Sequence, residues 1–147
     1  MRVLQIILAL IAVLVVLGDA YVRLAPLPSD RFHRQTAPQA AGDYPSKGGI
    51  VAVRDVSDPK AQMVALDKII RASARTRVLN GSVATGHISY VTRSALWGFP
   101  DITNLYVGKD TQAGSGTLTI SGHLVFGAFD LGVNAARIKG WLDEAGL

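Results

Sequence analysis

Hydrolytic chemistry in this 147-residue sequence would have to recruit Ser94 as nucleophile, His87 or His123 as base, and Asp101 or Asp130 to orient the base. Their placement argues against it. Ser94 lies mid-strand in "YVTRSALW", and no G-x-S-x-G elbow puts it on a strained turn. His87 and His123 fall on separate expected strands, where register alone could join them. A metal site has enough candidate ligands but no histidine pair at i,i+4 and no ligand run. The glycines of "GKD" and "GSG" lack the strand–loop–helix context of a phosphate cradle. The sequence holds no cysteine, which excludes disulfides, thiolate ligands, a cysteine nucleophile and a lipidated N-terminal cysteine. No catalytic, cofactor-binding or metal-ligating residue is assigned, and binding or scaffolding is the class that remains.

Two polar residues exceed what a strand and a bend require. In "TRSALWGFPD", Gly98 permits the turn and Pro100 has no N–H for a ladder, so the stretch reads first as a corner with Trp97 or Phe99 plugging the core. Arg93 and Asp101 are not explained by that. A mid-strand arginine on a covered sheet needs a fixed anionic partner. The expectation is an ion pair from Arg93 to Asp101 or Asp130 that ties the corner to the start of the last helix. Asn134 or the helix's free N–H groups would take the remaining lone pairs. The rival reading makes the same cluster an anion or headgroup site with Arg137 as second donor.

"TRSALWGFPD" and "FDLGVNAAR" together resemble the bacterial and plastid family called domain of unknown function 1499, and "RLAPLPSDRFH" resembles the lead-in of one bacterial branch. The matching positions are Arg93, Ser94, Leu96, Gly98, Phe99 and Asp101, then Asp130 to Asn134 and Arg137. Ala135 stands where a basic residue often follows the asparagine, and the preceding strand is poorer in arginine, so the resemblance implies a weaker charged pocket here. It supplies a fold expectation and a residue list without a reaction.

The elements that must position these residues begin at "GGIVAVRD", a short apolar run that reads as a strand. Ser57-Asp58-Pro59 starts a helix by capping and by proline just inside, and Met63, Leu66, Ile69 and Ile70 make its apolar stripe. This helix is expected to end near Arg75. "TRVLNGS", His87 to Trp97 and Asp101 to Val107 read as strands, with "GKDTQAGSG" as a loose hairpin loop. From Thr117 to Gly127, Leu118, Ile120, Leu124 and Phe126 alternate with Thr117, Thr119, Ser121 and His123, which predicts one buried and one wet face. A last helix, capped by Asp130 or Asn134, carries Leu131, Ala135, Ile138, Trp141, Leu142 and Ala145. The order β-α-β-β-β-β-α predicts an α+β domain over 48–147, an antiparallel sheet with two helices on one face.

Upstream, Val3 to Leu17 is a continuous apolar run but for Gln5. Fifteen helical residues reach about 22 Å of a hydrocarbon core of about 30 Å, so spanning needs the neighbours out to Val22. A signal peptide cut after Ala20 competes with an uncleaved anchor, which Asp19 at the cut and Tyr21 at the interface favour. Arg2 argues for a cytoplasmic N-terminus, whereas Arg23, Arg31 and Arg34 on the far side count the other way; the signal-like layout decides for export. Residues 21–47 hold four of the six prolines and read as a tether, from which Phe32, with His33, could dock on the domain. The net charge of +4 is diffuse, and its one cluster, Lys68, Arg71, Arg75 and Arg77, reads as a solvated helix end, with contact to anionic lipid a better runner-up than a nucleic-acid surface.

The expected protein is a single-pass cytoplasmic (inner) membrane protein with an extracytoplasmic, periplasmic domain, acting without catalysis as an envelope or scaffolding module. Its partners are the bilayer, through residues 3–22, and an envelope protein or a small apolar ligand. An apolar-ligand or lipid-binding module is the alternative, and a hydrolase the third.

Overall fold

Asp58 and Pro59 start the domain's first helix as their types require: the Asp58 carboxylate accepts the Ala61 N–H at 2.9 Å, and proline occupies the first turn. The computed structural model describes residues 1–37, 39–108 and 116–147. Its elements run α1 (Arg2–Leu24), α2 (Ser29–Phe32), β1 (Gly42–Ser46), β2 (Gly49–Val56), α3 (Pro59–Ala72), β3 (Thr76–Ser82), β4 (His87–Arg93), β5 (Pro100–Val107), β6 (Gly116–Leu124) and α4 (Val133–Ala145). The loop expected at "GKDTQAGSG" falls mostly on 109–115, outside the described residues.

The six strands form one antiparallel sheet in the order β1-β2-β6-β5-β4-β3. α3 carries the chain across one face from β2 to the far edge, and the next four strands return as a meander until β6 lies beside β2. α4 then crosses the same face next to α3. The α+β architecture with two helices on one face is therefore as expected, with an added strand. β1 lies inside the segment read as a tether, and it pairs with β2 from Gly42 opposite Val53 to Ser46 opposite Gly49. Its sequence, GDYPS, has no apolar alternation to reveal it, because an edge strand gains its place from the partner's ladder.

The core between sheet and helices contains Ile50, Ala52, Ile88, Tyr90, Leu118 and Ile120 against Met63, Leu66, Ile70, Ile138, Trp141 and Leu142. Gly122 lets α4 sit close on β6, since a Cβ there would come within 2.7 Å of Ile138 Cδ1. Trp141 donates its indole N–H to Ser73 Oγ at 2.7 Å, joining α4 to the end of α3.

The second face is wet only at its ends, where His123 is exposed and Thr117 half-buried. Thr119 and Ser121, expected in solvent, are buried, because the segment after α1 folds back under the sheet. Phe32 docks on Val91 and Ile102 with Leu27 and Leu79 beside it, as its sequence context suggested. His33 follows: its ring stacks on His87 at 3.7 Å between centroids. His33 Nδ1 lies 2.6 Å from Ser89 Oγ, whose hydroxyl donates to Asn104 Oδ1, and His87 Nε2 lies 3.2 Å from the same oxygen. With the Ser89 proton given to Asn104, His33 donates through Nδ1 and His87 through Nε2. Burial and the neighbouring His33 hold the His87 imidazole below its ordinary proton affinity, against the opposing pull of Asn104.

Candidate functional site

Register decides what the corner residues can reach. Thr92 pairs with Asp101, which pairs with Leu124, and these three point to the helix face. Arg93 pairs with Pro100, so its side chain leaves on the opposite face. The expected ion pair from Arg93 to Asp101 or Asp130 is therefore absent among the described residues. Arg93 Nη1 instead donates to the carbonyls of Gly98 at 2.8 Å and Val22 at 3.3 Å. Burial lowers its proton affinity, and Arg77 and Arg23 nearby lower it further. The expected cationic helix end is also divided, since Arg71 pairs with Asp67 at 2.8 Å while Arg75 Nε donates to the Arg93 carbonyl.

Arg137 takes the role foreseen for Arg93. It donates through Nη2 to Asp101 Oδ2 at 2.9 Å and through Nη1 to Asn134 Oδ1 at 3.1 Å, clamping α4 to the start of β5. Asp130 caps α4 from before its first residue, accepting the N–H of Gly132 at 2.9 Å and of Asn134 at 3.0 Å. Asp101, Asp130, Asn134 and Arg137 thus meet, and Arg93 stands apart. The two carboxylates differ. Burial pushes Asp101 above the usual carboxylate range, although Arg137 pulls the other way. For Asp130 burial is outweighed by the amide N–H groups, which hold it below that range. Among the described residues, Asn134 Nδ2 is buried without a hydrogen-bond partner.

The corner itself is closed by Ser94, whose N–H donates to the Phe99 carbonyl at 2.9 Å and whose Oγ accepts the Phe99 N–H at 3.0 Å. Trp97 and Phe99 do not plug the core; both project into solvent beyond the end of the sheet. Strand β6 likewise stops at Leu124, because β5 begins at Pro100 and offers no partner farther on, and this leaves Leu124 and Phe126 half-buried. Corner and loop enclose an open pocket of about 370 Å³ lined by Phe99, Leu124, Phe126, Phe129 and Val133, with Ser94, Asp101 and Asp130 as its polar groups. A more polar cleft of about 380 Å³ shares Ser94, Asp101 and Val133 and adds Thr92, Arg75 and Arg137. Phe126 was read from the sequence as part of the buried core face, and neither it nor Phe129 was read as lining a pocket. Their signal was two aromatics just before "DLGVN", past the last partnered strand residue.

Among the described residues, neither histidine shares a sheet face with Asp101. His87 pairs with Tyr106 and His123 with Ile102, which places both on the face opposite Asp101.

The family model described as "Protein of unknown function (DUF1499)" matches residues 24–144, a span that takes in α2 and β1 as well as the helix-covered sheet. No curated protein matches the chain. Among solved structures, a DUF4468 family protein from Bacteroides ovatus is similar at 15% identity, with a TM-score of 0.26 over 67% of this chain and 63% of that one. At that score the likeness carries no weight for fold or function.

Proposed function

This chain belongs to the DUF1499 family, whose description assigns no reaction, and from that premise we propose a membrane-anchored, extracytoplasmic domain that acts without catalysis at the envelope. The observation that supports it most is α1. It is 23 residues long, apolar enough to cross a membrane, and none of its residues is buried, whereas α3 and α4 each press a stripe onto the sheet. A helix apolar all round finds its solvent in lipid. The Asp101–Arg137–Asn134 cluster reads as a structural latch, since its one cation is already paired and the two carboxylates disfavour an added anion.

The test is fractionation of the full chain bearing a C-terminal reporter that is active only outside the cytoplasm. Reporter activity in the membrane fraction is expected; full-length protein recovered soluble from the cytoplasm would end the reading.

A second reading, a small apolar ligand or lipid chain held by the domain, has the aromatic pocket in its favour, whose volume is in the range of small-ligand sites. It is open at the end of the domain, and the layer between sheet and α4 is filled by side chains.

A further inference from the structure

The end of the domain that carries both motifs keeps large apolar side chains in water. Leu96 is 73% exposed, Phe129 65% and Leu131 95%, and Trp97 and Phe99 stand beside them. Leu131 is also held at φ 52°, a left-handed conformation that costs a non-glycine residue free energy. Water alone gives no reason to display a strained leucine at full exposure.

The last turn of α1 lies against this same end. Arg23 Nη2 donates to the Leu96 carbonyl at 2.9 Å, the Val22 carbonyl accepts from Arg93, and the Tyr21 ring meets Phe126 edge-on at 6.1 Å. Gly98, at φ 66°, is pressed so near that a Cβ would come within 3.0 Å of Arg23 Cγ. A helix whose apolar run fills the hydrocarbon brings that last turn to the level of the headgroups, where tryptophan, tyrosine and arginine collect. The exposed corner is then at that level too. Cations are present beside it: Arg77 and Arg93 share the sheet face toward α1, and neither makes an ion pair among the described residues.

We propose that this end of the domain docks on the bilayer beside its own anchor, with Leu96, Trp97, Phe129 and Leu131 entering the interfacial layer and Arg77 and Arg93 facing headgroup phosphates. The docking rests on the anchoring proposed above and adds an orientation to it: the corner faces lipid, and the β3–β4 turn at the other end of the strands faces the aqueous side. Apolar contact supplies the adhesion and the arginines a preference for anionic lipid.

Trp97 reports on this directly, because the other tryptophan, Trp141, is buried on the inner side of α4 against the end of α3. The full chain is reconstituted into phosphatidylcholine–phosphatidylglycerol vesicles with and without phosphatidylcholine brominated high in its acyl chains. The wild type is expected to lose emission in the brominated vesicles, and Trp97→Phe is expected to show no such loss. The double variant Leu96→Asp, Leu131→Asp is expected to float with the vesicles yet escape quenching. Wild-type protein that floats with the vesicles and is not quenched would overturn the docking while leaving the anchor standing, and would turn the patch toward a second copy or an envelope protein. Quenching that persists in the double variant would also overturn it. Failure to float removes the anchor itself, and the docking with it.

Discussion

Arg137, at the junction of two motifs, is the residue whose loss should be felt most. Asp101 is buried beneath α4, and its carboxylate is tolerable because a guanidinium reaches it at 2.9 Å. Arg137→Met strands that charge, and losing one member of a buried pair costs about 3–5 kcal/mol. The pH dependence identifies the cause. Because burial raises the Asp101 pKa above its unfolded value, the native state holds the proton more tightly, and the associated stability is present at low pH and lost as pH rises through the folded pKa. Urea unfolding should therefore show the Arg137→Met deficit shrinking on acidification; a deficit flat with pH would mean that packing, and not the charge, was lost. The His33–His87 stack has the opposite sign. His87 has its pKa lowered from 6.5, so stability is lost as pH falls below that unfolded value, until the folded pKa is reached. His33→Asn removes the like-charged neighbour and part of the cover, and should raise the His87 pKa in an NMR titration. An unchanged titration would refute the coupling.

At the scale of elements, the short helix α2 does more than its four residues suggest. Its Phe32 covers Val91 and Ile102, and through this contact the second face of the sheet becomes interior. Phe32→Ala should cost about 3–5 kcal/mol, comparable with a truncation in the main core. Amide exchange should speed up in β4 and β5 at the same time. A loss of only a few tenths would mean that the segment from Leu27 to Thr36 lies on the sheet without contributing to its stability. The two strand faces also explain why β6 was only half legible. Leu118 and Ile120 announced the helix-covered side, but Thr119 and Ser121 are small polar residues that any solvated face would carry. Their burial depends on a segment more than eighty residues earlier in the chain.

For the whole molecule, the contacts with the corner come from Tyr21, Val22 and Arg23, just past the cut site expected after Ala20. N-terminal sequencing of the membrane-fraction protein separates the two fates. An intact Met1 is expected for the anchor, and a mature start at Tyr21 would make the segment a signal and release the domain.

Periodicity and capping chemistry are local, and they were readable without coordinates: the helix opened by Asp58 and Pro59, the stripe of Ile138, Trp141 and Leu142, the strands from "TRVLNGS" to "TLTI", and the apolar α1. The motif residues were readable as a set, because their types are unusual for a strand end and a helix start. Their pairing was not. Whether Arg93 or Arg137 meets Asp101 turns on one residue of register, which sends Arg93 to the other face of the sheet. Edge strand β1, the partners on which Phe32 docks and the exposed Trp97 were likewise decided by tertiary structure. Each depends on which distant surface lies opposite, and no spacing within the segment itself encodes that.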